Sequence, residues 1–346
     1  MLTKIKKGGA LLFCILLCGS SLSGCGGNNV QETESLPQEN IEQNNIEYPI
    51  TIQVAEMQVA EHPITRSLVY FGEEVEKRTE GRINVDVCPA AILGTENTTI
   101  SKVKNGSLDI ARVSSITMSE YYPDLTPLAL PYIFESREHM WNTVESPLGD
   151  KMLDYVDDCD AIAWIDNGAR CFYANVPIYS PEDMKDKKFR VPNSQKMYSM
   201  LHYYGAIPVT FDLSEVYTNV ENGNVAGAEN DIISYDYFAN SVVARYFTRN
   251  NHSFAPAMLI AGNGLKDKIG EEDYNILLEC AKDAQAKSRE LWDATEEQTA
   301  KRLKLDGVKI IEPTDEAMAQ FRAAAQPMYD EYPQYADIIE EIKNMK

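Results

Sequence analysis

Metal-binding and nucleophile motifs are missing from this chain of 346 residues. Its four histidines (His62, His139, His202 and His252) are isolated in sequence, and no HExxH, CxxC or Cys/His cluster with zinc spacing occurs. No metal or other cofactor is therefore expected. No GxSxG marks a hydrolase serine. Positive charge is also short: 32 Lys and Arg face 53 Asp and Glu, a net charge of −21. That balance argues against nucleic acid or any polyanionic surface as a partner. Only one apolar run is long, Ala10 to Cys18, and it is too short to span a bilayer.

The apolar run follows Lys4, Lys6 and Lys7 and precedes Leu22-Ser23-Gly24-Cys25. A basic segment, a short apolar core and small residues at the end read as a secretory signal over 1–24. A Cys directly after Leu-Ser-Gly resembles the lipobox of bacterial lipoproteins, with Cys25 as the lipidated first residue of the mature chain. An extracytoplasmic protein held to a membrane by its lipid is the expectation. Residues 25–48, rich in Asn, Gln, Glu and Ser, read as a flexible tether. Removal of 1–24 takes three Lys and no acid, leaving 29 basic against 53 acidic side chains, or −24. An anionic ligand of such a protein needs a locally positive site. Outside the cell a disulfide is permitted. Cys159–Cys171 is one candidate pair, and buried free thiols at Cys88, Cys159, Cys171 and Cys280 are the alternative.

About 300 residues remain, enough for two α/β domains. Ile50 to Ala55 alternates as a strand. A helix follows with Ile64, Leu68, Phe71 and Val75 on one face, and Ile83, Val85 and Val87 alternate again. A helix from Leu93-Gly94-Thr95-Glu96 to Gly106 and a strand over Leu108 to Val113 complete parallel βαβ units. A second unit is expected to begin near Ile162, with strands at Ala161–Ile165, Cys171–Ala174, Phe189–Val191 and Val225–Ala228. Helix starts fall at Ser180-Pro181 and Asp212. Asp273 to about Leu303 is one helical run of roughly 45 Å, long enough to bridge two domains.

Arg170 and Arg190 sit twenty positions apart on strand-like segments, and Asn230 follows forty positions later. A guanidinium is always charged and offers a planar fork matched to a carboxylate. Each arginine alone reads as readily as a structural partner of the abundant acids. Ligands of open α/β sheets, however, gather beyond strand ends, and Arg170, Arg190, Asn230 and Ser114 all fall at or just past such ends. His62, after the first strand, is within reach of the same cleft or lies on an exposed loop.

In sequence order, Thr79-Glu80-Gly81-Arg82-Ile83, Leu93-Gly94, Asn105-Gly106-Ser107-Leu108-Asp109, Gly168-Ala169-Arg170, Phe189-Arg190-Val191, Ser214-Glu215-Val216-Tyr217 and Ala228-Glu229-Asn230 resemble the DctP-like solute-binding proteins of tripartite ATP-independent periplasmic (TRAP) transporters. The resemblance covers residues 50–312. It implies a two-lobed periplasmic-binding-protein-like α/β fold with a hinge and a long helix spanning both lobes. Domain I would hold 49–167 and about 256–295, domain II 168–255 and about 296–325, with a C-terminal helical segment over 326–346. It implies no enzyme, a monomer, and the TRAP permease membrane subunits as partner. By position, Arg190 matches the arginine that grips the ligand carboxylate, Arg170 the second arginine of the site, and Asn230 the asparagine bonded to the same group. Glu96 falls where a helix-start acid meets ligand hydroxyls, although an acid there also simply favours the helix dipole. Leu213 and Ser114 fall at positions that vary with substrate. The segments Ser136–Trp141, Trp164–Arg170 and Asp109–Ser114 look most like binders of sugar acids, particularly hexuronates. Ser114 is not the acid associated with sialate binders. A C4-dicarboxylate would want a second cation, for which Arg66 or Arg112 are the candidates. A binder feeding a sensor or ABC importer, and a secreted enzyme on acidic sugars, are the rival readings.

Overall fold

The computed structural model describes residues 46–345. The signal segment, Cys25 and nearly all of the expected tether lie outside them. Two sheets organise the rest. The first contains β1 (Ile50–Ala55), β2 (Ile83–Cys88), β3 (Ile110–Ser114), β4 (Asp160–Ile165) and β10 (Ala257–Ala261), in the order β2-β1-β3-β10-β4. The second contains β5 (Arg170–Ala174), β6 (Lys188–Val191), β7 (Ile207–Thr210), β8 (Gly227–Asn230), β9 (Tyr246–Ser253) and β11 (Lys309–Ile311), in the order β11-β9-β5-β8-β6-β7.

The alternating Ile and Val of β1 and β2 pair in parallel, and β1 pairs in parallel with β3, as βαβ crossovers require. Helix α1 (Pro63–Arg78) covers this sheet with Ile64, Leu68, Phe71 and Val75 fully buried. One expectation fails. Ala161–Ile165 does not start the second unit but forms β4, at the edge of the first sheet, held antiparallel by β10. That partner, a short apolar run, carries no periodicity to separate strand from helix. The helix expected at Ser180 is a single tight turn, Pro181–Met184, closed by a Ser180/Asp183 capping box.

The chain passes between the sheets at 166–169 and 254–256 and again within the long helix, Glu271–Leu305. At 35 residues this helix is about 52 Å long. Its first half lies on α1 and β4, and it also reaches the helix Ile232–Tyr237. Arg78 pairs with Asp283, and Arg82 forms two bonds of 3.1 Å from Nε to Asp273. At the first crossing, Gly168 has φ +61°, and a Cβ there would fall 1.9 Å from Cζ2 of the buried Trp292. Only glycine fits this turn. The helix Pro327–Asp330 packs on the helix Gln195–Tyr203, and from the helix Ala336–Asn344 the carbonyl of Ile342 lies 2.7 Å from His139 Nε2. All four cysteines of the described residues are buried and free, so Cys159 and Cys171 are not bridged.

Candidate functional site

A cavity of about 250 Å³ opens where both sheets present strand ends. Ser114, which closes β3, and Glu96, the first residue of helix α2 (Glu96–Lys104), come from the first sheet's side. Arg170, Arg190, Asn230 and Leu213 come from the second. Arg170 opens its strand rather than closing it. Because β5 runs antiparallel to β8, with Cys171 opposite Asn230, its start lies beside the end of β8.

Arg190 carries the strongest signal. It is buried, its Nε donates to the Phe211 carbonyl at 3.0 Å, and among the described residues it has no ion-pair partner. Burial pushes its pKa below the ordinary arginine value, and the charge of Glu229 offsets this only in part. Arg170 is equally buried but differently held. Its Nε donates to Glu229 Oε2 at 2.6 Å and its Nη2 to Oε1 at 2.8 Å. Burial acts to lower the Arg170 pKa and raise that of Glu229. The attraction between them outweighs this, raising Arg170 and, with a bond from His252, bringing Glu229 down to about 2.

Glu96 is more than a helix-start acid. Its Oε1 accepts from the Ser114 backbone N–H at 2.9 Å and from Arg112 Nη1 at 3.2 Å, and its Oε2 accepts from the Thr117 hydroxyl. Ser114 itself caps helix α3 (Ser115–Tyr121), its hydroxyl accepting from the Ile116 N–H at 3.3 Å. Half-buried Leu213 and Phe211 supply apolar wall.

His62 is not in the wall. It is completely buried and caps α1, Nδ1 accepting from the Ile64 N–H at 3.3 Å, which leaves Nε2 to donate to the Ser234 hydroxyl at 3.3 Å. Its ring sits edge-on to Tyr237 and Trp292. Burial, with the charge of Arg112, drives its pKa well below the ordinary value, so it is a neutral core residue. The His62-Pro63 step, a cap before a proline at the first helical position, is the signal that places it there.

Sequence reasoning missed Gln58. It lines the cavity, is 5% exposed, and among the described residues its side-chain oxygen has no hydrogen-bond partner. A buried polar atom left unpaired costs about 1–3 kcal/mol, so a hydroxyl donor placed here is favoured. Arg112, expected only as a spare cation, also lines the cavity. Arg66 is exposed and does not. No cluster of His, Cys, Asp or Glu among the described residues is arranged to hold a metal ion.

Among the described residues one guanidinium without an ion-pair partner faces a polar cavity between two α/β sheets, a geometry chemically suited to a carboxylate. Residues 54–335 match the model of the bacterial extracellular solute-binding proteins, family 7, the DctP family. The chain belongs to that family. It is accordingly a TRAP-type solute-binding protein, extracytoplasmic in class and not an enzyme. Among the described residues no helix is long and apolar enough to cross a membrane. A solute-binding protein of Chromohalobacter salexigens is 29% identical over 82% of this chain and 86% of its own length. Among solved structures, a TRAP periplasmic solute-binding protein of Xanthobacter autotrophicus with bound β-D-galacturonate is 34% identical. It covers 84% of this chain and 99% of its own, with a TM-score of 0.81. One from Citrobacter koseri with bound D-glucuronate is 27% identical, covers 86% and 100%, and has a TM-score of 0.82.

Proposed function

We propose that this family member captures a hexuronate of the galacturonate or glucuronate kind and hands it to a TRAP permease. The observation that carries the reading is Arg190, a buried guanidinium with no carboxylate of its own among the described residues. A ligand carboxylate supplies the missing charge, and a bidentate pair adds directional selectivity. Asn230 and the remaining Arg170 Nη1 stand by as further donors. Glu96 and the unpaired Gln58 oxygen supply acceptors for sugar hydroxyls. The uronates bound by two related structures support the choice of ligand class.

A C4-dicarboxylate is the weaker reading, because the one other cation of the first wall, Arg112, is already paired with Glu56 and Glu96. Capture is completed by closure of 49–167 with about 256–295 onto 168–255 with about 296–325, the crossings and the long helix acting as hinge. The 326–346 segment touches both bodies, through Tyr203–Glu331 on one side and His139–Ile342 on the other. The chain works as a monomer, anchored through lipid on Cys25 after loss of 1–24. Mass spectrometry of the membrane-extracted protein checks the anchor, since an unmodified or absent Cys25 ends that part of the reading.

A thermal-shift screen over uronates, aldonates and dicarboxylates tests the ligand. A ligand at about a hundred times its Kd adds about 2.7 kcal/mol of stability, so galacturonate or glucuronate should raise Tm clearly. A response to dicarboxylates alone would replace the uronate reading.

A further inference from the structure

Arg112 is the third arginine of the cavity, and each of its nitrogens donates to a carboxylate. Nε reaches Glu56 Oε2 at 2.7 Å, Nη2 takes Glu56 Oε1, and Nη1 reaches Glu96 Oε1 at 3.2 Å. The side chains of Arg112 and Glu56 are shut off from solvent, while Glu96 keeps 17% of its surface exposed beside the cavity. One guanidinium therefore meets two carboxylates, and this wall carries a negative charge in excess. On the facing side Arg170 pairs with Glu229, buried Asp231 is turned onto the Ile233 and Ser234 N–H groups, and Arg190 has no ion-pair partner among the described residues. Asp212, the other acid of the lining, is solvent-exposed. The cavity is thus polarised between its two walls.

We propose that Glu96, by over-compensating Arg112, excludes ligands that carry a second carboxylate and so confines the cavity to singly charged polyhydroxy acids. The inference rests on the uronate reading for the placement of a ligand carboxylate at Arg190. With one carboxylate there, the far end of the ligand meets Glu96 and the Gln58 oxygen. A hydroxyl donates to either. A second carboxylate has no proton to donate, meets a like charge in a place partly shielded from water, and finds the Arg112 nitrogens taken. Such like-charge contacts are an effective means of rejecting a wrong ligand. Glu96 is held to this task by Ser114 and Thr117, which fix both its oxygens.

Galactonate and galactarate make a matched probe pair. They share an open carbon chain and differ by a terminal hydroxymethyl against a second carboxylate. Calorimetry on the wild-type protein should find galactonate preferred by about a hundredfold or more. Glu96→Gln keeps the shape and the acceptor for Ser114 while removing the charge. It should cut that preference to about tenfold or less by raising galactarate affinity, and Glu96→Ala should do likewise. Circular dichroism verifies that each variant is folded. Equal binding of the pair by wild type overturns the proposal, a test that needs no variant. So does a Glu96 substitution that weakens both acids alike, or one that brings no rise in galactarate affinity. Galacturonate serves as a separate arm. If wild type ignores it yet discriminates between the matched pair, the uronate reading fails and the exclusion stands.

Discussion

Arg170 and Arg190 are alike in type, in sheet and in burial, each 7% exposed, and they do opposite things. The strand pairing decides which is which. At the start of β5, Arg170 lies against β8, whose register sets Phe172 opposite Glu229 and brings that carboxylate onto the guanidinium. On β6, between β7 and β8, Arg190 meets Val209 and Ala228 across the ladder, and neither can neutralise it. Equal burial therefore has unequal consequences. A charge buried with its partner is structural, whereas one buried without a partner is a standing demand for an anion.

The largest effect that would break this contrast is on the paired arginine. Arg170→Met leaves Glu229 sealed in the core with, among the described residues, the His252 ring as its remaining side-chain hydrogen-bond partner. Removing one member of a buried pair costs about 3–5 kcal/mol. Chemical denaturation should show a loss of that size, and a loss below about 1 kcal/mol would mean that the pair is not structural. Arg190→Met should act the other way round. It removes an uncompensated charge, so the ligand-free protein should be no less stable, and its Tm should hold or rise. Affinity for the uronate should fall about a hundredfold to a thousandfold, within the range for truncating one side of a buried charge pair. Calorimetry reads the affinity and a thermal melt the stability. Retained binding would remove Arg190 from the centre of the site.

Much of this contrast is legible in the amino-acid order alone, though not its direction. Period-two Ile and Val in β1 and β2, together with capped helices, set the order around the first sheet. Strand-end arginines and Asn230 point at the cleft. The partner of Arg170 is not visible in this way, because Glu229 lies 59 positions away and meets it only through the β5–β8 register. The strand β9 is hidden for a similar reason. Its Thr-Arg-Asn-Asn run has poor strand character and is extended because β5 and β11 flank it. Gln58 gives no signal at all, since an unpaired side-chain oxygen is a property of its surroundings. His62 misleads because a cap position and a loop look alike until the following proline is weighed.

The smallest effect lies in acid and separates the two arginines without a ligand. The Glu229 pKa is held at about 2, against an ordinary 4.5 in the unfolded chain. A carboxylate depressed on folding contributes stability above its unfolded value and loses it as pH falls toward the folded one. By about pH 3.5 the loss from this one group is roughly 1–1.5 kcal/mol. Other acids titrate in the same range, so the informative quantity is the difference between variants. Arg190→Met keeps the Arg170–Glu229 pair and should lose stability between neutral pH and pH 3.5, about as wild type does. Arg170→Met has forfeited the partner that depresses Glu229, so its stability should fall less over the same interval. Parallel acid curves for all three proteins would mean that Glu229 is held down by something other than Arg170, and the division between a structural and a ligand-seeking arginine would lose its electrostatic basis.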